Sequence, residues 1–279
     1  MATHVLITGI RGLIGSNLKS AYEALGYTVH GTTRADSIES TLKLLGQVNP
    51  AYIFHTAAEL ADESKMFCTN VSLTHAILHY CKTAKASLKR LVVIGSSSEY
   101  GRKAEHMAEH MALEPETIYE GTKAAATMLA RSFSMTYDIP TLVVRPFTVY
   151  GPGEKPSKFI PILLSLPDKI HLSEGVHDYV YIDDFVRILL ELVSSCNKVF
   201  DLVNIGTGKQ TSNLELVQTV ERLTGHIFSM EPAAAKPYDS SSWVCDPEYL
   251  RNSYGLAATT GLEEGLKFTI RALSNGAHH

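Results

Sequence analysis

Short apolar runs alternate along most of the chain with longer stretches that repeat at the helical period. HVLIT (4–8), YTVHGTT (27–33), AYIFHTAA (51–58), KRLVVIG (89–95), TLVVRP (141–146) and DLVNIG (201–206) read as strands. LIGSNLKSAYEAL (13–25), a long segment from Ile118, and DDFVRILLELV (183–193) read as helices. Asp183 stands where it can cap the last of these. The strands are continuous Val, Ile and Leu runs rather than alternating ones. That pattern belongs to strands covered on both faces, and so predicts an α/β fold with a doubly wound parallel sheet.

After Pro146 the pattern loosens. FTVYGPGEKPSKFIPILLSLPDK (147–169) is rich in Pro and Gly and reads as loop with one short helix. SNLELVQTVERL (212–223) opens with Ser212 three residues before Glu215, the spacing of a capping box. This divides the chain into a main domain, residues 1–146 with roughly 177–206, and a smaller C-terminal lobe, roughly 147–176 and 207–279.

Composition narrows the class. The 279 residues are 45% hydrophobic and 19% charged, with a net charge of −4, as in an ordinary soluble globular protein. No basic stripe points to a nucleic-acid partner, and no apolar run is long enough to point to a membrane. MATHVLITG enters a strand almost at once, leaving no room for a signal peptide. Cys68, Cys81, Cys196 and Cys245 are scattered, with neither disulfide nor metal-ligand spacing. A cytoplasmic protein without a metal is expected.

TGIRGLIG (8–15) follows the first strand and opens a helix, with Gly9, Gly12 and Gly15 spaced GxxGxxG. Glycines there allow a tight turn and a close approach of backbone to a pyrophosphate. The helix N-terminus adds free N–H groups and partial positive charge. A nicotinamide dinucleotide is therefore expected. The second strand ends GTTR, with Thr33 where a ribose-binding acid would stand and Arg34 next to it; Arg11 lies in the glycine loop. Two guanidinium groups without a carboxylate suit a 2′-phosphate, so NADP is expected over NAD.

Hydride chemistry at a carbon bearing oxygen also needs a proton moved on that oxygen. In IYEGTKAAA (118–126), Lys123 lies one helical turn after Tyr119. An ammonium beside a phenol, together with the cofactor's positive ring, is expected to lower the phenol's pKa and make it a usable acid–base. GSSSEYG (95–101) ends the fourth strand and offers Ser96, Ser97 and Ser98 at the C-terminal edge of the sheet, where such sites form.

TGIRGLIG, YIFHTAA, IGSSSEYG, YEGTK, RPFTVYGPG, HDYVYIDD and VNIGTG occur in the order found in the extended short-chain dehydrogenase/reductase family. The chain resembles the nucleotide-sugar epimerase, dehydratase and reductase group from about residue 4 to about residue 225. The resemblance implies a Rossmann-type domain with a substrate-binding lobe, and a Ser–Tyr–Lys triad of Ser96 or Ser97, Tyr119 and Lys123. It implies cofactor contacts from Gly9, Gly12, Leu13, Ile14, Gly15, Thr33, Arg34, Ala57, Ala58, Asn70, Pro146 and Thr148, with Phe147 beside them. A nucleoside-diphosphate sugar would meet Ser98, Thr148, Lys158 and His177. A homodimer, formed through helices near 69–84 and 118–137, is also implied.

The sequence departs from the family pattern in four places. Ser97 and Ser98 stand where dehydratases of the group carry an acidic pair or a serine and an acid, with Glu99 falling one position later. His177 replaces an Arg that grips a phosphate, leaving charge to Lys155 or Lys158. The stretch between Arg34 and Pro50 is short and lacks the family's adenine-reading acid, which calls a whole strand into question. Thr148 replaces a frequent Asn. These differences disfavour a dehydratase and point to reduction of a 4-keto sugar, with C4 epimerisation as the alternative. A dinucleotide-binding sensor or scaffold without turnover is a third reading, which the retained Tyr and Lys argue against.

Overall fold

The computed structural model describes residues 3–84, 87–234 and 240–276. The chain runs β1 (His4–Thr8), α1 (Leu13–Ala24), β2 (Thr28–Thr32), α2 (Ile38–Val48), β3 (Tyr52–His55), α3 (Glu63–Met66) and α4 (Leu73–Thr83). It continues through β4 (Arg90–Ile94), α5 (Ile118–Tyr137), β5 (Thr141–Pro146), β6 (Thr148–Tyr150), α6 (Phe159–Leu164), β7 (Lys169–Leu172) and β8 (Val176–Tyr181). The last elements are α7 (Ile182–Ser195), β9 (Phe200–Ile205), β10 (Gln210–Ser212), α8 (Asn213–Thr224), β11 (Ser229–Pro232), α9 (Glu248–Tyr254) and α10 (Leu262–Gly276).

Among the described residues, six parallel strands form the main sheet in the order β2-β1-β3-β4-β5-β9. Alternate residues of each strand feed the two sides. Val5, Ile7, Val92 and Ile94 enter one core, while Leu6, Leu91 and Val93 enter the other. Both faces are apolar, which is why the strands read as unbroken hydrophobic runs. The first core extends into the C-terminal part through Tyr150, Leu216, Trp243 and Leu266, so lobe and sheet share one packed interior.

The short stretch after Arg34 resolves into α2 alone. Ser37 caps it, accepting the Ser40 N–H, and Asn49 ends it in the left-handed region at φ 43°. The chain then crosses directly to β3 on the far side of β1. Among the described residues the sheet consequently stops at β2, one strand short of an order in which a further strand lies outside it. β1 and β3 are adjacent while their connections depart in opposite directions, which opens a crevice at their C-terminal ends.

Two small sheets lie outside the main one: β10-β8-β6 and β11-β7. β8 belongs to the first of these, so the chain rejoins the main sheet by α7 and β9 rather than from residue 177. Asp183 does not cap α7. Tyr181 occupies the cap position without a side-chain bond, and Asp183 falls within the first turn. Its neighbour Asp184 is buried and takes the N–H groups of Thr259 and Thr260 at 2.8 and 2.6 Å, tying α7 to the C-terminal segment. Ser212 and Glu215 do form a reciprocal cap on α8. Among the described residues no helix is long and apolar enough to cross a membrane.

Candidate active site

The glycine loop lies on the crevice between β1 and β3. Gly9 has φ of 70°, and a side chain there would come within 2.9 Å of the Ala57 backbone across the crevice. A side chain on Gly15 would overlap the Gly9 carbonyl oxygen. No side chain caps the first turn of α1 at Gly12. The Gly12 N–H donates to the Gly9 carbonyl, while the N–H groups of Leu13 and Ile14 open the helix and fit a dinucleotide pyrophosphate. On the other wall, Ala57 and Ala58 follow β3. The Ala57 N–H donates to the Thr8 hydroxyl at 3.3 Å, and the Thr56 hydroxyl donates to the Thr8 carbonyl at 2.7 Å.

The end of β2 differs from the expectation of two arginines without a carboxylate. Asp36 turns back and accepts both the Thr33 N–H at 2.8 Å and the Thr33 hydroxyl at 3.1 Å. These bonds, and more weakly the charge of Arg11, hold its carboxyl below the usual range. Arg34 lies 3.5 Å from the buried carboxylate of Glu59. Arg34 is therefore paired with an acid of the chain, and Arg11 lies within the field of another. Glu59 also accepts the N–H groups of Leu60 and Ala61, each at 3.0 Å. Asn70 holds the same loop from beneath, exchanging bonds with the Glu59 backbone and donating to the Thr122 hydroxyl. Its amide is thus committed to the loop.

Tyr119 and Lys123 lie on the first turns of α5. Thr117 caps this helix, with Glu120 returning the bond to the Thr117 N–H. Thr-x-x-Glu is readable in the sequence, and it fixes where the helix starts. Lys123 is buried and donates to the Ile94 carbonyl at 2.5 Å. Burial pulls its pKa down to about 8, against an upward pull from Glu99. Burial pushes the Tyr119 phenol up to about 12; the neighbouring Ser96 side chain opposes this, and the charges of Glu99 and Glu120 add to it. The expected lowering by Lys123 is thus not found in the protein itself. The ammonium is spent on a backbone carbonyl, desolvation outweighs it, and the phenol stays protonated at neutral pH.

The serines separate by direction. The Ser96 and Ser98 hydroxyls are 2.6 Å apart and partly accessible. Ser97 is buried and accepts the Trp243 indole N–H at 3.1 Å. Glu99 turns away from them into the interior, where its carboxylate meets Arg145 at 2.8 Å.

On the lobe side, Pro146 ends β5, Phe147 follows it and Thr148 opens β6, pairing in register with Tyr179 on β8. His177, on the same face of β8 as Tyr179, packs edge-on against that ring at 5.7 Å. Lys158 precedes α6 and is exposed. The nearby Glu154, absent from the sequence expectations, is pushed up to about 7 by burial, with Lys158 opposing. Asp178 is fully buried and accepts the N–H groups of Thr207, Gly208 and Cys245, which explains the HD and IGTG motifs as a structural tie. Among the described residues no group of three or more His, Cys, Asp or Glu is placed to hold a metal ion.

A glycine loop at a sheet crevice, facing a serine, tyrosine and lysine cluster, defines a nicotinamide-dependent enzyme. The chain belongs to the NAD dependent epimerase/dehydratase family, whose model matches residues 5–206. It is 30% identical over 217 residues to the trifunctional UDP-glucose 4,6-dehydratase/UDP-4-keto-6-deoxy-D-glucose 3,5-epimerase/UDP-4-keto-L-rhamnose-reductase RHM1 of Arabidopsis thaliana, covering 72% of this chain and 31% of that one. The chain thus spans about a third of the length of that relative. A dTDP-glucose 4,6-dehydratase of Streptomyces griseus is 26% identical, covering 97% of this chain and 94% of the other. Among solved structures, MoeE5 in complex with UDP-glucuronic acid and NAD superposes with a TM-score of 0.90 at 28% identity, over 98% of this chain and 99% of that one.

Proposed function

We propose that the protein reduces the C4 ketone of a nucleoside-diphosphate sugar. The observation that carries this reading is the direction of Glu99. With that carboxylate bonded to Arg145 in the interior, the serine turn offers the site hydroxyls only. Such a site can move a proton at one oxygen. Eliminating water needs a further acid and base at defined points, so the dehydratase reaction is disfavoured.

The dinucleotide, when bound, supplies the hydride. Tyr119, protonated at neutral pH, gives its proton to the oxygen being reduced. Ser96, beside that phenol, orients the same oxygen, while Lys123 adds positive charge one turn away. Ser98, Thr148, Lys158 and His177 are the proposed sugar-nucleotide contacts. The expectation of NADP rested on Arg11 and Arg34. The pairing of Arg34 with Glu59, and the Asp36 carboxylate near Arg11, favour NAD instead, in keeping with the NAD bound to MoeE5.

C4 epimerisation is the second reading, favoured by that same charge balance. An epimerase returns the hydride it removes and has no need of a reducing pool. The test is oxidation of NADH and NADPH by the purified protein with a panel of UDP-, dTDP- and GDP-linked 4-keto-6-deoxy sugars. Stoichiometric oxidation with one of them supports the reductase. No oxidation with any, together with NAD released on denaturation, moves the reading to an epimerase.

A further inference from the structure

Glu99 is the point where three parts of the site meet. It is fully buried, and one carboxylate oxygen accepts the Ser96 N–H at 2.8 Å and the Thr127 hydroxyl at 2.9 Å. The other accepts Arg145 Nε at 2.8 Å. Ser96 begins the serine turn, Thr127 lies one turn beyond Lys123 on α5, and Arg145 is on β5. The guanidinium of Arg145 in turn lies over the Tyr100 ring, 4.5 Å from its centre. Residue 95 accommodates the arrangement, since a side chain there would come 2.5 Å from the Glu99 carboxylate.

A buried ion pair is a weak way to gain stability. Desolvating two charges costs several kcal/mol, and apolar residues of similar volume often do as well or better. The placement of Glu99 is better explained by what it holds. We infer that Glu99 is a positioning residue: its carboxylate locks the Ser96 turn to the Tyr119–Lys123 helix and sets a fixed negative charge beneath that pair. The inference rests on the acid–base reading of Tyr119.

The charge acts on both groups in one direction, making Lys123 and Tyr119 hold their protons more tightly. The other ionisable groups around the pair are few. His55 on β3 is fully buried and neutral, with its pKa near 3. Glu120 on α5 is occupied by the N–H groups of Glu116 and Thr117, and Arg145 on β5 is held by Glu99 itself. Glu99 is thus the carboxylate whose removal should be felt at Lys123.

The test follows Lys123 directly, by carbon-13 NMR of the protein labelled at lysine Cε, with and without NAD, and with the signal assigned by Lys123→Met. Glu99→Gln/Arg145→Met removes both charges and leaves no orphaned ion; it should lower the Lys123 midpoint by about one pH unit. Arg145→Met alone leaves Glu99 charged and should raise the midpoint or leave it in place. A midpoint lowered in the double variant and not lowered in Arg145→Met supports the inference. A Lys123 midpoint unchanged in the double variant, or moved the same way in both, overturns it. Should the double variant fail to fold, Glu99→Gln alone is read in its place, with the same downward shift expected and an unchanged midpoint overturning the inference. Tyr119→Phe, assayed in parallel, keeps the two claims apart: an active Tyr119→Phe protein would remove the acid–base reading, whereas an inactive one with an unmoved Lys123 would remove only the role of Glu99.

Discussion

Ser97 and Trp243 are joined across the length of the chain by the indole N–H, which donates to the serine hydroxyl at 3.1 Å. The bond turns Ser97 away from the phenol and leaves Ser96 facing it. Ser96→Ala should therefore lower kcat by about 10²–10³-fold, as loss of a donor to the reacting oxygen does. Ser97→Ala should instead lower stability by about 1 kcal/mol while kcat is kept. Steady-state rates and chemical denaturation on both variants check this, and equal losses of rate would reverse the assignment.

Tyr119→Phe should reduce kcat by about 10²–10⁴-fold, the range for loss of a general acid. NADH affinity, measured by fluorescence titration, should stay within about threefold, because the cofactor loop is held by Thr8, Asn70 and Glu59.

Cofactor choice should respond to Asp36. Its carboxylate sits on the Thr33 N–H and hydroxyl and is drawn on by Arg11. Wild-type protein should bind NADH more tightly than NADPH. Asp36→Ala should improve NADPH relative to NADH by about five- to tenfold at low ionic strength, less in salt, as expected for an exposed charge. Tighter NADPH binding in the wild type would restore the reading made from the arginines alone.

His55 sets an acid limit to stability. The imidazole is buried between the Thr8 and Thr74 hydroxyls, at 2.8 Å from each, and burial lowers its pKa to about 3. Below the unfolded value of about 6.5, the unfolded chain takes up a proton that the folded chain refuses. Stability should be fully present above that pH and fall by up to about 1.4 kcal/mol per unit as pH drops from there towards 3. Urea unfolding from pH 8 to 4 should show this slope, and His55→Gln should flatten it.

Much of the fold was legible because its strands are buried on both faces. Val5, Leu6 and Ile7 feed opposite cores in turn and so leave an unbroken apolar run. The glycine loop, Tyr119 and Lys123 were legible because local spacing fixes them. What the sequence hid came from long-range partners. The Thr33–Asp36 turn, the reach of Arg34 to Glu59, the contact of Ser97 with Trp243 and the inward turn of Glu99 each depend on a side chain's direction, which residue spacing does not give. For a related reason the spacing put Lys123 beside Tyr119, but not the Ile94 carbonyl that takes up the ammonium.

The sheet that ends at β2 has a kinetic consequence. A strand outside β2 would add a wall to that side of the crevice, and among the described residues β2 is the edge of the sheet. Fewer walls mean a shorter stay for the dinucleotide. An enzyme that consumes one reduced cofactor per turnover must exchange it each time, whereas one that recycles its own hydride gains by never letting go. The truncated edge makes the dissociation rate of NADH a direct readout of which of the two this chain is built to be.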